Sequence, residues 1–396
     1  MMPFVKLKDI VQVNTGTKNP SKTPDAPFQY VDVAAVDNIK KTITGARELM
    51  GSEAPSRARK VICADDILVS TVRPNLNAVA KVPTELDGQI ASTGFCILRA
   101  TKALPEYLFF FVRSEAFVQK ISNIVAGAMY PAVTDKQVLD QIIPLPPLDE
   151  QRRIVNTLSH AESIVRLRRE AQKKSADIIP ALFLEMFGDP ATNPKGWPVL
   201  SIGEVIASAD YGSSTKASEN GSGLPIIRMG NVDYAGRLKL ENLKYVELSQ
   251  KDNKRFGLLE GDILFNRTNS KDLVGKTGLW DGSFDAVAAS YFIRLRVARD
   301  IINPLFFWAF MNSGHMKRVL FDTSRGAIGQ ANINSRELRS FRIIVPPVQT
   351  QNMYESHCRD IFSIQAQQAA ATQKAEDTFA ALLAKTFTDN GEHYAA

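Results

Sequence analysis

The sequence predicts an α+β fold built twice, two mixed globular domains each followed by a long coiled-coil helix. Three observations predict it. Short motifs recur in unchanged order at an offset that drifts only from 196 to 200 residues. Each half holds β-rich runs broken by Gly, Pro and Asn turns, with a helical run late in it. After each double proline, apolar residues follow a 4-3-4 spacing over roughly five heptads.

The ordered repeat carries the most information. Pro144-Leu145-Pro146-Pro147-Leu148-Asp149-Glu150-Gln151 returns as Ile344-Val345-Pro346-Pro347-Val348-Gln349-Thr350-Gln351. Asp66-Ile67-Leu68-Val69 returns as Asp262-Ile263-Leu264-Phe265, and Phe95-Cys96-Ile97-Leu98-Arg99 as Phe292-Ile293-Arg294-Leu295-Arg296. Val36-Asp37 pairs with Val232-Asp233, and Gly127-Ala128 with Gly326-Ala327. A period this long is a duplicated unit and not a solenoid. Its near-constant offset predicts pseudo-twofold symmetry.

The elements follow in order. Strands are expected at Asp66–Val72, Phe95–Leu98 and Ala288–Val297, and helices at Leu104–Val118 and Pro304–Leu320. The mixture is α+β, not a parallel sheet with regular crossovers. From Leu148 the seam runs through Ile154, Leu158, Ala161 and Val165, then Ile179, Leu182 and Met186, with polar Arg168, Gln172 and Ser175 at its centre. The second seam runs through Tyr354, Cys358 and Ile361 to Phe379, Leu382 and Thr386. The prolines start both helices, since the residue before proline avoids the α region and proline fits a first turn. Pro180 has Ala380 as its counterpart, so only the first helix should kink or restart. Phe187 through Trp197 reads as a short, semi-rigid linker.

Composition narrows the function. Hydrophobic residues make up 44% and charged residues 23%, enough for true cores and too little charge for wholesale disorder. With 48 Lys+Arg against 42 Asp+Glu the net charge is +6, compatible with nucleic acid but no polycation. Cys63, Cys96 and Cys358 are odd in number and form no CxxC, which argues against a disulfide framework or zinc ribbon and for a reducing compartment. The first residues lack a signal peptide's apolar core, and no apolar run approaches the ~20 residues that cross a bilayer. A cytoplasmic protein with no membrane partner is expected.

No catalytic constellation is legible. Gly275-Lys276-Thr277 has Ser270 where a phosphate loop requires glycine and reads as a turn into a strand. Gly221-Ser222-Gly223 lacks the preceding strand and third glycine of a dinucleotide site. His160, His315, His357 and His393 form no metal pattern. Asp252-Asn253-Lys254 reads as a solvated turn, and no Asn-Pro-Pro-aromatic tetrapeptide is present. Polar side chains suited to bases and phosphates gather instead in loops after the Asp-Ile-Leu strand and before the spacer helices. The candidate DNA-binding residues are Arg73, Asn75, Asn77 and Tyr130 in one copy. In the other they are Arg267, Asn269, Ser270, Lys271, Ser324, Arg325, Gln330 and Asn332. Ordinary turn chemistry is the competing explanation for each.

Together these features resemble the specificity subunit of a type I restriction-modification enzyme. The resemblance rests on residues 144–155 with their Pro-Pro-Leu-Asp-Glu-Gln-Arg-Arg-Ile-Val core, on 182–187, and on Gly188-Asp189-Pro190 through Asn193-Pro194-Lys195-Gly196-Trp197. The second copy at 345–351 departs from it, with Thr350 in place of Glu150. The resemblance implies a target recognition domain at 1–148, a first spacer helix at 149–187, and a linker with a second recognition domain at 188–347. A second spacer helix at 348–388 and a tail at 389–396 complete it, the two spacers pairing antiparallel.

It further implies double-stranded DNA as ligand, a split target, two modification subunits and restriction subunits as partners. S-adenosylmethionine, ATP and Mg would sit on those partners, this chain binding no cofactor and no metal and catalysing nothing. At ~1.5 Å per residue, ~35 helical residues span ~50 Å, enough to separate half-sites by roughly one DNA turn. Candidate spacer or subunit-contact residues are Glu150, Gln151, Arg152, Ile154, Leu158, Arg166, Arg168, Ile179 and Leu182 on the first helix, with Gln351, Ile361, Phe379 and Leu382 on the second. Between 151 and 174 seven basic residues face only Glu162 and Glu170, a solvated face or a contact for an acidic partner or DNA. A stand-alone restriction or methylation enzyme and a coiled-coil protein adaptor are the alternatives.

Overall fold

A computed structural model describes residues 3–125, 127, 129–219, 221–327 and 330–387, without the side chains of 325–330. The expected tail at 389–396 therefore lies outside the described residues. The chain divides into two units, Met1–Glu170 with Ala369–Ala396, and Ala171–Gln368.

In the first unit the recurring Asp-Ile-Leu segment is the strand Ile67–Ser70, buried throughout because it is flanked on both sides. It pairs antiparallel with Phe95–Ala100 and Val79–Lys81, and Val11–Gln12 extends the sheet beyond Phe95–Ala100. A second sheet orders Arg47–Met50, Pro27–Val31, Ile90–Ser92 and Ala58–Val61, with Ile90–Ser92 parallel to Pro27–Val31. The N-terminal strand Phe4–Lys6 pairs with Ile142–Pro144.

The second unit repeats this plan. Ile263–Asn266 lies between Phe292–Val297 and Thr277–Leu279, with Ile206–Tyr211 outermost. Leu224–Ile227 pairs parallel with Val287–Ala288, and Val199–Ser201 pairs with Arg342–Ile344. It adds a three-stranded ribbon of Thr268–Asn269, Gln330–Asn332 and Arg325–Ala327.

The repeated motifs are the frame of each unit. Asp66, 1% exposed, accepts from the Cys63 amide at 2.8 Å and grips the Arg99 guanidinium at 2.8 and 2.7 Å. Asp262, 2% exposed, does the same with the Leu259 amide and Arg296, whose Nε lies 2.8 Å away. The ion pair raises the affinity of both guanidinium groups for their protons. Gln151, fully buried, accepts from the Leu104 amide and donates to the Pro146 carbonyl at 2.9 and 2.8 Å. Gln351 repeats this with the Asn303 amide and Pro346 carbonyl at 2.8 and 2.7 Å. Both glutamines therefore lock a helix start onto its own domain.

The late helical runs each break in two, a correction to the single helices expected. Pro105–Arg113 is followed by Glu115–Ile124, and Pro304–Met311 by Gly314–Thr323. Ser114 and Ser313 restart them, their hydroxyls accepting the Phe117 and Met316 amides; such caps satisfy donors that a helix start leaves open.

The first long helix also breaks, into Leu148–Ser175 and Ile178–Phe187. Pro180 lies in the first turn of the second piece, so its missing N–H falls where none is needed. The second long helix runs unbroken over Val348–Phe387. In the first unit Ile154, Val155 and Leu158 pack in one core with Phe379, Leu382, Leu383 and Phe387, while Arg169 bonds Glu376 at 2.6 Å. In the second, Ile179, Phe183 and Phe187 pack with Tyr354, Cys358 and Ile361, and Gln365 donates to the Ser175 carbonyl at 2.6 Å. Rising numbers on one helix meet falling numbers on the other, so the pairing is antiparallel. Phe187 and Phe387 occupy matching aromatic nests, against Phe306 and Tyr354 in one unit and Tyr107 and Phe111 in the other. The segment after Phe187 folds back on the helix end: Trp197 Nε1 donates to the Phe187 carbonyl, and Lys195 Nζ to those of Glu185 and Met186. No helix among the described residues is long and apolar enough to cross a membrane.

Candidate nucleic-acid interface

Each unit brings its two candidate loops together on one edge, although they lie about sixty residues apart in sequence. In the first unit the Thr71 amide donates to the Gly94 carbonyl at 2.8 Å, and the Thr71 carbonyl accepts from the Val133 amide at 2.9 Å. The Arg73 amide donates to the Pro131 carbonyl at 2.8 Å. In the second unit the Arg267 amide donates to the Tyr291 carbonyl at 3.0 Å, and its carbonyl accepts from the Ile333 amide at 2.9 Å. Thr268 and Asn269 then pair with Asn332 and Ala331.

By this register the two arginines that follow the recurring strand stand at different positions of the edge. Arg267 matches Thr71, and Arg73 matches Asn269, two residues further along. The backbone of the edge is repeated and its side chains are exchanged.

On the first edge Arg73 and Asn77 hold left-handed backbone, φ 48° and 46°, around the short turn Pro74–Leu76. That turn projects Arg73, Asn75 and the 47%-exposed Leu76 outward, while Asn77 is half-buried. The Asn77 carbonyl accepts from Lys41 Nζ at 2.6 Å, and burial pushes that ammonium down to about 8. Tyr130 is 82% exposed beside Pro131, an aromatic face with nothing of its own unit over it.

On the second edge the Arg267 guanidinium lies 4.7 Å from the centroid of the Tyr211 ring, with its Nε unpartnered. Such stacking fixes the guanidinium plane while leaving its outer N–H groups to donate. Asn266 beneath it is fully buried with both amide atoms unpartnered. Asn269 Oδ1 accepts the Ser270 amide at 2.9 Å, so this amide turns partly inward. Lys271 rests its ammonium 4.3 Å from the Phe321 ring centroid, and Asn332 is exposed with Oδ1 3.3 Å from the Thr268 hydroxyl. Ser324 does not face outward as expected: it is 6% exposed and its hydroxyl closes a helix end on the Phe321 carbonyl. The side chains of Arg325 and Gln330 lie outside the described residues, though their backbones form the ribbon.

The spacer candidates separate by face. Ile154, Leu158, Ile179, Leu182, Ile361, Phe379 and Leu382 turn to the cores. Glu150 pairs with Arg153, and Arg152 with Asp149, at 2.6 Å each. Arg166, paired to Glu170 at 3.3 Å, and Arg168 are exposed on one stretch with Ile164 and Leu167. Sequence reasoning missed Tyr211. Only its place opposite Ile293 in the antiparallel sheet carries it towards Arg267.

The chain thus holds two similar domains built on one repeated edge, with different polar side chains on each. The model of the type I restriction modification DNA specificity domain matches at residues 2–176 and 194–354, and the chain belongs to that family. It is 24% identical over 348 residues to the type I restriction enzyme EcoKI specificity subunit of Escherichia coli (strain K12), across 82% of this chain and 75% of that one. The StySPI specificity subunit of Salmonella potsdam is 24% identical over 346 residues, across 82% and 74%. A solved chain from work on complex assembly and conformational transition of the type I R-M system is 29% identical, with 98% of each chain covered and a TM-score of 0.67. The type I restriction-modification S subunit from M. genitalium, 13% identical over 98% and 96% of the chains at TM-score 0.52, shares the fold.

Proposed function

We propose that this chain is the DNA-specificity subunit of a type I restriction-modification complex, reading a split double-stranded target with one loop edge per unit. The observation that carries the reading is the repeated edge whose arginine moves from the Arg73 position to the Arg267 position. Identical scaffolds with unlike side chains suit two different half-sites. The antiparallel helices serve as spacer and as seat for two modification subunits and for restriction subunits. S-adenosylmethionine belongs to the former, and ATP with Mg to the latter. The chain itself is non-catalytic, binds no cofactor and acts in the cytoplasm where the DNA is.

Sequencing methylated bases in host DNA tests this directly. A bipartite motif with a fixed gap is expected, and a continuous motif overturns the spacer role. Arg267→Ala should relax one half-site only, losing ~1–3 kcal/mol of discrimination if the guanidinium grips a guanine edge. Equal loss at both half-sites would make Arg267 a framework residue. Methyl transfer or cleavage by the purified chain alone would establish the enzyme alternative.

A further inference from the structure

Beside the second edge lies a cavity of about 220 Å³. Its walls come from the two segments that adjoin the ribbon. Residues 271–276 continue from Thr268–Asn269, while Lys317 and Phe321 belong to the helix that leads into Arg325–Ala327. Tyr234 closes a third side.

Three lysines line this space. Lys276 is 8% exposed and donates to the Met229 and Val232 carbonyls at 2.9 and 2.6 Å. Lys317 donates to the Tyr234 carbonyl and lies 3.5 Å from the centroid of that residue's ring. Lys271 lies on Phe321. Carbonyl oxygens and ring faces thus hold the lysines. None of the three makes an ion pair among the described residues, although Asp272 lines the cavity and Asp233 acts on Lys276 and Lys317 from nearby. Burial lowers the proton affinity of Lys276 and brings Lys317 down to about 8, the cost of cations whose desolvation Asp233 only partly offsets. An anion entering the cavity would offset it.

The geometry points to this cavity as a phosphate seat, filled by a backbone phosphate of the DNA whose bases the adjoining edge reads. The assignment of DNA as the source rests on the specificity function proposed above; the phosphate chemistry rests on the cavity alone. A phosphate contact fixes register without carrying sequence information, complementing Arg267. Lysine suits this task as a point charge, where a bidentate base contact calls for arginine.

The experiment measures DNA retention by the full chain with its modification partner across a salt series, comparing wild type, Lys317→Met and Lys317→Arg. Methionine keeps the packing on Tyr234 and removes the charge. The slope of log affinity on log salt should become shallower by about 0.9 in Lys317→Met, with arginine restoring it and the methylated motif unchanged. Lys271→Gln, on an exposed loop, should give the same sign of change without a folding defect. A parallel arm follows melting of the full chain with added inorganic phosphate. A phosphate-dependent rise lost in Lys317→Met, with the DNA slope intact, would assign the seat to free phosphate. An unchanged slope together with no phosphate-dependent rise overturns the seat, as does an altered motif in Lys317→Met. Sequence-independent retention by the wild type would instead sink the specificity function, and the phosphate arm would still decide the cavity.

Discussion

Asp66 and Asp262 show how much of the frame depends on single side chains. Each is buried, each accepts a turn amide, and each holds an arginine on the neighbouring strand. Asp66→Ala would leave Arg99, 23% exposed, without its carboxylate and free the Cys63 amide. A loss of about 2–3 kcal/mol is expected, read as an earlier transition in urea. Asp and Arg recur in both copies of the sequence, so these positions were visible, but their partnership was not. Asp66 and Arg99 lie thirty-three residues apart, and only antiparallel register brings them together. Tyr211 was invisible for the same reason, since a lone tyrosine on a strand carries no signal until its neighbour across the sheet is known. Ser324 failed in the other direction. Serine serves equally at a ligand and at a helix end, and composition alone does not separate the two.

At the scale of elements, the helix starts were legible because prolines and glutamines recur there, and the glutamines proved to be internal locks. The break between Ser175 and Ile178 was placed less well, since proline marks a first turn and the interruption falls before it. The broken late helices were missed because apolar residues resume at Phe117 and Met316, just beyond the capping Ser114 and Ser313. The Arg166–Arg168 stretch keeps an exposed basic face with Ile164 and Leu167, 50% and 56% exposed, beside it. Reversing charge at both arginines should weaken assembly with the modification subunit in pull-down or ultracentrifugation. Assembly unchanged at moderate salt would leave that stretch a solvated surface.

Over the whole molecule, the second unit is one continuous stretch of chain and the first is assembled from two. The first unit is finished by residues of the second long helix, with Phe387, 3% exposed, against Tyr107 and Phe111. Phe387→Ala should therefore cost about 3–5 kcal/mol in the first unit, although the residue is remote in sequence from that domain. Thermal melts with probes in each unit would show the early transition in the first unit only.

The same feature sets a timetable. A ribosome must translate residues 171–368 between the two pieces of the first unit. At ~5–20 residues per second this takes on the order of 10–40 s, during which the aromatic nest around Tyr107 and Phe111 stands open. The nascent chain must keep that surface from premature association until Phe387 arrives, so the protein's exposure to chaperones is written into the order of its segments.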